Sequence, residues 1–145
     1  THTHISQIDT DLEILDNTDF KVFKELACFP MAMTAHISFS KIDDKPVTIS
    51  KKSIQYIRNN IGFKNLIITD DLSMSGLTGS ISERAKESFN AGCDIILHCN
   101  GYINEMIEIA QDTDFINEGV SKKIDELTYI LLKRPFRPIV FPMAL

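Results

Sequence analysis

Residues 1–145 are predicted to form parallel α/β structure, and three observations lead there. Short apolar runs of strand length alternate with stretches of helical periodicity, in the order strand, helix, strand, helix, strand, helix, helix. The connections are short enough for right-handed crossovers. One run, Leu66-Ile67-Ile68-Thr69, is apolar throughout, the pattern of a strand covered on both faces. Three strands do not close a parallel sheet, and an eight-stranded (β/α)8 barrel takes about 250 residues. The expectation is therefore a single incomplete domain over residues 1–145, about three parallel strands with flanking helices, equivalent to the C-terminal half of a TIM-type barrel.

Each element has its own signal. A helix is expected from Asp16, read as its N-cap, with Phe20, Phe23 and Ala27 on one face. It leads into Phe29-Pro30-Met31-Ala32-Met33-Thr34-Ala35-His36, whose centre reads as a buried strand. After a polar loop containing Pro46, Ser50 caps a helix striped by Ile54, Ile57 and Ile61 and stopped at Gly62. The Leu66 strand is expected to end at Asp70-Asp71. Ser80 and Glu83 have the spacing of a capping box for a helix with Ile81, Ala85 and Phe89 inward and Gly92 at its end. A strand over Asp94-Ile95-Ile96-Leu97-His98-Cys99 follows, then Asn100-Gly101 as a turn. Ile103, Met106, Ile107 and Ala110 define one more helix, and Val120, Ile124, Leu127 and Leu131 a longer one that Pro135 terminates. Ile139-Val140-Phe141-Pro142 is too short to assign.

Composition narrows the partners. The net charge is -5 and there is no basic cluster, which argues against nucleic acid or an anionic membrane. No run approaches the ~20 apolar residues of a membrane span, and no signal-peptide order is present, so a cytoplasmic location is expected. Cys28, Cys93 and Cys99 lack framework spacing and read as reduced core thiols. The absence of an initiator Met suggests a segment of a longer protein.

In such folds the chemistry gathers at the carboxyl ends of strands. Those positions are His36, Asp70 with Asp71, and Cys99 with Asn100. From spacing alone Asp70 is either a working carboxylate or the cap of the following turn, and His36 either a catalyst or a hydrogen-bonded support. His98 is placed within its strand and read as packing. Met31, Met33 and Met106 are read as core filler, whereas Met74 lies in the loop after Asp70. The opening Thr1-His2-Thr3-His4 puts His2 and His4 on one side of an extended backbone, a spacing compatible with a metal clip or with acid/base chemistry.

Ala32-Met33-Thr34-Ala35-His36, Pro46, Ser50, Ile61-Gly62-Phe63, Ile68-Thr69-Asp70-Asp71-Leu72-Ser73-Met74-Ser75-Gly76, Ala91-Gly92-Cys93-Asp94 and Cys99-Asn100 occur in that order. Together they closely resemble the second half of the glycoside hydrolase family 3 β-N-acetylglucosaminidases, from residue 1 to about residue 110 of this chain. The resemblance implies a retaining enzyme that removes terminal β-linked N-acetylglucosamine, as in muropeptide and peptidoglycan recycling. It implies Asp70 as nucleophile, Met74 in the sugar pocket, and Asp71 and His36 as supporting residues. Thr1-His2 matches the end of the family's Asp-Ser/Thr-His element, which implies His2 as acid/base, His4 as a bystander, and no metal or cofactor. The Asp of that element and the upstream sugar-gripping residues are absent from the chain. A separate N-terminal barrel half is therefore an expected partner, beside an N-acetylglucosamine-containing sugar. Two other readings stand next to this one: an inactive truncated remnant, and a metal-dependent hydrolase built on His2 and His4.

Overall fold

The computed structural model describes residues 6–114 and 116–133. His2, His4, Pro135 and the Ile139–Pro142 run lie outside the described residues. The chain divides into two compact units, Thr1–Phe115 and Ile116–Leu145.

The first unit contains β1 (Ser6–Ile8), α1 (Leu12–Asn17), α2 (Asp19–Glu25), β2 (Met31–Met33), β3 (Ile37–Phe39), α3 (Lys51–Tyr56), β4 (Leu66–Asp71), α4 (Ile81–Ala91), β5 (Ile95–Leu97) and α5 (Ile103–Asp112). A 3-10 turn, Val47–Ile49, precedes α3, and a π turn, Ile57–Ile61, prolongs it. The second unit holds α6 (Glu118–Lys133), where Asn117 Oδ1 accepts from the Val120 amide at 3.0 Å in the manner of an N-cap.

Parallel α/β structure is the outcome. β2, β4 and β5 form a parallel sheet in that order, with Met31 opposite Leu66 and Ile68 opposite Ile95. The register shifts between Ile68 and Asp71. β1 and β3, neither of which the apolar pattern announced, form a separate parallel pair. Both are short and carry polar residues, so they lack the apolar run by which β4 is recognised.

The caps that position these elements follow from sequence. Ser50 Oγ accepts from the Ser53 amide at 3.0 Å, and Gly62 ends the helical segment at φ +86°. Ser80 and Glu83 complete a reciprocal capping box on α4. Gly92, at φ +112°, brings the backbone close to Ile54, which reserves the position for glycine. Asp16 is not an N-cap. It lies within α1, and its carboxylate bridges Lys24 at 2.9 Å and Tyr56 at 3.0 Å, while the helix breaks at Thr18. The Lys24 bond lowers the Asp16 carboxyl below its ordinary range, and burial with Asp16 alongside pushes Tyr56 up to about 12.

One apolar cluster joins Val47, Ile54, Phe63, Ile67, Ala91 and Cys93, and a second joins Leu72, Leu77, Ile81 and Ala85. The first includes Ile67 of β4, and Ile96 of β5 packs against the second. Arg58 staples the amino ends of β4 and β5 by donating to Asp94 at 2.7 Å, while Asp94 accepts from the Ile67 amide at 2.8 Å.

Several residues expected in the core are exposed. β2 is not a buried strand: Met31 is 41% and Met33 58% exposed, and Met106 and Phe89 also face out. Hydrophobicity marks a residue that gains from burial without saying whether this segment supplies the cover. Cys93 is buried, but Cys28 and Cys99 are exposed, so only one of the three free thiols belongs to the core. Phe23, Leu26, Phe29, Met31 and Met33 line an apolar cavity of about 340 Å³ beside the outer edge of β2. Neither Asp70 nor Asp71 lines it. Among the described residues, no helix is long and apolar enough to cross a membrane.

Candidate active site

β4 runs two residues further than its apolar stretch, so Asp70 and Asp71 are its last residues rather than the turn that follows. The register shift between Ile68 and Asp71 sets three steps of β4 against two of β5, so the strand end departs from simple alternation here. Both are half-buried.

Asp70 is held from behind through its backbone. Its amide donates to Thr34 Oγ1 at 3.2 Å, Thr34 Oγ1 lies 2.9 Å from Thr48 Oγ1, and Thr48 Oγ1 lies 2.8 Å from His36 Nδ1. His36 Nε2 lies 2.9 Å from the Asp71 carbonyl oxygen. A carbonyl only accepts, so Nε2 carries a proton for Asp71. In the neutral ring Nδ1 then accepts, with Thr48 donating to it and Thr34 donating to Thr48. Thr34, Thr48 and His36 are all buried, His36 to 3% exposure. A buried polar group without a partner costs free energy, and here every member has one.

The Asp70 carboxylate is left largely free. Oδ1 accepts from the Asp71 amide at 2.8 Å, and Oδ2 has no hydrogen bond among the described residues. A carboxylate whose support reaches its backbone keeps an oxygen available for a ligand.

Asp71 is committed to structure. Oδ1 accepts from the Ser73 and Cys99 amides, each at 3.0 Å, and the Ser73 hydroxyl donates to Oδ1 and Oδ2 at 2.8 and 2.7 Å. Burial pushes this carboxyl up, but the Ser73 and Cys99 donors and the charge of His98 outweigh it and hold the group below the usual carboxylate range. Asp71 thereby ties the end of β4 to Cys99, two residues past the end of β5.

Arg84 on α4 shapes the loop after Asp71. Its guanidinium donates to the carbonyls of Leu72, Met74 and Gly79 at 2.8, 3.0 and 3.1 Å. Met74 is half-buried in that loop. Cys99 also stands near the two acids, and partial desolvation followed by Asp71 and Asp70 raises its thiol above the ordinary value.

The structure thus gathers Asp70, Asp71, His36 and Met74 around the carboxyl ends of β2 and β4. Thr34, Thr48, Ser73 and Arg84 were not singled out from sequence. Thr34 lies within the quoted Ala32–His36 stretch, but its partner Thr48 is 14 residues away in an ordinary-looking loop. Asn100 acts as the expected turn residue, its Oδ1 accepting from the Tyr102 amide at 2.9 Å with Gly101 at φ +78°. His98 corrects its expectation: β5 ends at Leu97, and His98 follows the strand rather than lying in it.

Comparison with known proteins gives this arrangement a family. The profile described as Glycosyl hydrolase family 3 N terminal domain matches residues 1–128. The chain belongs to glycosyl hydrolase family 3. Within the family it is 35% identical over 105 residues to the beta-hexosaminidase of Methylobacillus flagellatus, covering 69% of this chain and 30% of that protein. It is 40% identical over 105 residues to the beta-hexosaminidase of Neisseria gonorrhoeae, covering 69% and 29%. The chain thus spans about a third of the length of these curated relatives. Among solved structures, NagZ from Neisseria gonorrhoeae in complex with N-trifluoroacetyl-D-glucosamine superposes with a TM-score of 0.74 at 28% identity, covering 92% of this chain and 42% of that one. CbsA from Thermotoga neapolitana, at 24% identity and a TM-score of 0.74, shares the fold.

Proposed function

We propose that this chain carries the nucleophile of a retaining β-N-acetylglucosaminidase, and that Asp70 is that nucleophile. The observation that supports this most is the Asp70 carboxylate at the carboxyl end of β4, with its backbone anchored through Thr34, Thr48 and His36 and one oxygen uncommitted. Membership of glycosyl hydrolase family 3 and the relatives named beta-hexosaminidase support this substrate class.

In the first step an Asp70 oxygen bonds to the anomeric carbon while the glycosidic carbon–oxygen bond breaks, and the His2 imidazolium gives its proton to the departing oxygen. In the second, water attacks the same carbon and loses a proton to His2, and the ester to Asp70 breaks. Two displacements at one carbon leave the configuration unchanged. His2 lies outside the described residues. Met74 is the pocket-lining residue in this reading, and Asp71 and His36 support Asp70. The substrate is an N-acetylglucosamine-terminated sugar such as a muropeptide, handled in the cytoplasm during cell-wall recycling.

The scaffold in this proposal is part of a (β/α)8 barrel completed by an upstream half. Exposed Met31 and Met33 at one sheet edge, and Ile103 and Met106 on α5, support such a partner, since apolar surface of this extent marks contact sites.

The test is hydrolysis of a chromogenic β-N-acetylglucosaminide by the chain alone and with a family N-terminal half. Turnover that requires Asp70 and vanishes in Asp70→Ala is expected in the mixture. Activity untouched by Asp70→Ala overturns the assignment. Association of the halves without turnover makes the chain an inactive remnant.

A further inference from the structure

Next to the Asp70–Asp71 strand end lies a second polar cluster to which the family resemblance assigns no role. His98 follows β5 with its side chain only 7% exposed, and its Nε2 lies 2.7 Å from Glu105 Oε2. Glu105 sits in the first turn of α5 and also accepts from Asn100 Nδ2 at 2.8 Å. The bonds from His98 and Asn100 hold the Glu105 carboxyl below its usual range. An ionised carboxylate only accepts, so Nε2 is the protonated nitrogen and the ring orientation is fixed from α5. Its Nδ1 is buried and has no hydrogen-bond partner among the described residues. An imidazole used only as packing would be replaced at no loss by an apolar side chain, whereas this one keeps an unpaired nitrogen inside the protein.

The neighbouring residue supplies the reason for it. The amide of Cys99 donates to Asp71 Oδ1 at 3.0 Å, so the peptide that joins His98 to Cys99 has the Asp71 carboxylate at one end and the Glu105-anchored imidazole at the other. We propose that His98 is a positioning residue, which anchors the end of β5 to α5 through Glu105 and so presents the Cys99 amide to Asp71, the neighbour of Asp70. The charge of the imidazole adds to the donors around Asp71. The charged groups around the imidazole are Asp71 from β4 and Glu105 from α5, and Arg84 from α4 acts in turn on Glu105. The inference rests on the proposed function only in treating Asp70 as the reacting group, and the linkage itself is measurable without turnover.

The test is a carbon-detected NMR titration of the Asp71 and Glu105 carboxyls, with the imidazole nitrogen spectrum, in the full 145-residue chain. Wild-type protein should show Nε2 protonated. His98→Leu should raise the Asp71 and Glu105 midpoints by about half a pH unit or more. His98→Gln, which keeps a donor toward Glu105, should hold Glu105 low and leave the Cys99 amide on Asp71, so that Asp71 rises less than in His98→Leu. If His98→Leu does not fold, Glu105→Ala, at a half-buried position of α5, carries the test, with the Cys99 amide exchanging about tenfold faster than in wild type. An Asp71 midpoint unmoved in His98→Leu overturns the proposal. So does a Cys99 amide whose exchange ignores Glu105→Ala. Because no readout involves a sugar, absence of glycosidase activity counts against the proposed function and leaves this linkage standing or falling by itself.

Discussion

His36 Nε2 lies 2.9 Å from the carbonyl oxygen of Asp71, a residue 35 positions later in the chain. A buried imidazole is thereby wedged between a threonine hydroxyl and the backbone of the acidic strand end, and both of its nitrogens are occupied.

Replacing His36 by Phe should destabilise the protein by about 1–3 kcal/mol, because the Thr48 hydroxyl and the Asp71 carbonyl each lose one hydrogen bond and keep only Thr34 and the Met74 amide respectively. Thr48→Val breaks the same chain at its middle and should cost about 1–3 kcal/mol. Urea denaturation of the two variants and their double mutant provides the measurement, and strongly non-additive losses are expected for members of one network.

Acid should weaken the fold. Asp71, Asp16 and Asp43 all have carboxyls lowered in the folded state, Asp71 by donors that overcome its burial and the other two chiefly by side-chain hydrogen bonds. A lowered folded value gives stability that is complete above the unfolded carboxylate range and is lost as pH falls through the lowered one. The denaturation midpoint should therefore decline below about pH 4. Asp71→Asn should be less stable than wild type at neutral pH and show a shallower acid decline.

The three thiols should differ in reactivity. Cys28 and Cys99 are exposed, whereas Cys93 is buried and its thiol is pushed up to about 12, first by burial and then by Asp94. At mildly alkaline pH a soluble alkylating reagent should label Cys28 first, Cys99 more slowly, and Cys93 only after unfolding. Asp70→Asn removes one of the carboxylates that suppress the Cys99 thiolate and should speed its labelling. Mass spectrometry of timed samples distinguishes the three sites.

Two glycines should respond differently to the same substitution. Gly62 and Gly92 both have positive φ, but a Cβ at Gly62 meets nothing within 4 Å, while one at Gly92 lies 3.1 Å from Ile54 Cγ2. Gly62→Ala should cost the ~1–2 kcal/mol of left-handed backbone strain, and Gly92→Ala more, since Ile54 belongs to the main apolar cluster. Thermal unfolding of the pair measures the difference.

Local chemistry was what the sequence made legible. The Ser80–Glu83 box, the Ser50 cap, the Gly62 and Gly92 stops and the β4 run all depend on residues within a few positions of one another, and each forms where the spacing put it. Asp70 and Asp71 were recognisable for the same reason, as acids at the end of an apolar run. Features made by distant residues were not. Asp16 looks like a cap until Lys24 and Tyr56 arrive around it. Thr48 looks like loop until Thr34 and His36 meet it. His98 looked like strand interior, because nothing local shows that the ladder stops at Leu97 and that a glutamate waits in the next helix. Met31 and Met33 carry the composition of a core without its enclosure.

Parallel pairing has a consequence for the order in which the molecule assembles. The Asp70 amide and Thr34 are 36 residues apart, and no antiparallel hairpin shortens the path between them. Loop-closure entropy must be overcome before such contacts give anything back, so α4 with its capping box can form early while the threonine–histidine chain waits for β2 to find β4. The backbone anchor of Asp70 is then among the last things the polypeptide acquires. A ribosome releases Thr34, Ala35 and His36 well before their partners exist, and a synthetic peptide spanning the acidic strand alone would hold the right side chains with none of their orientation.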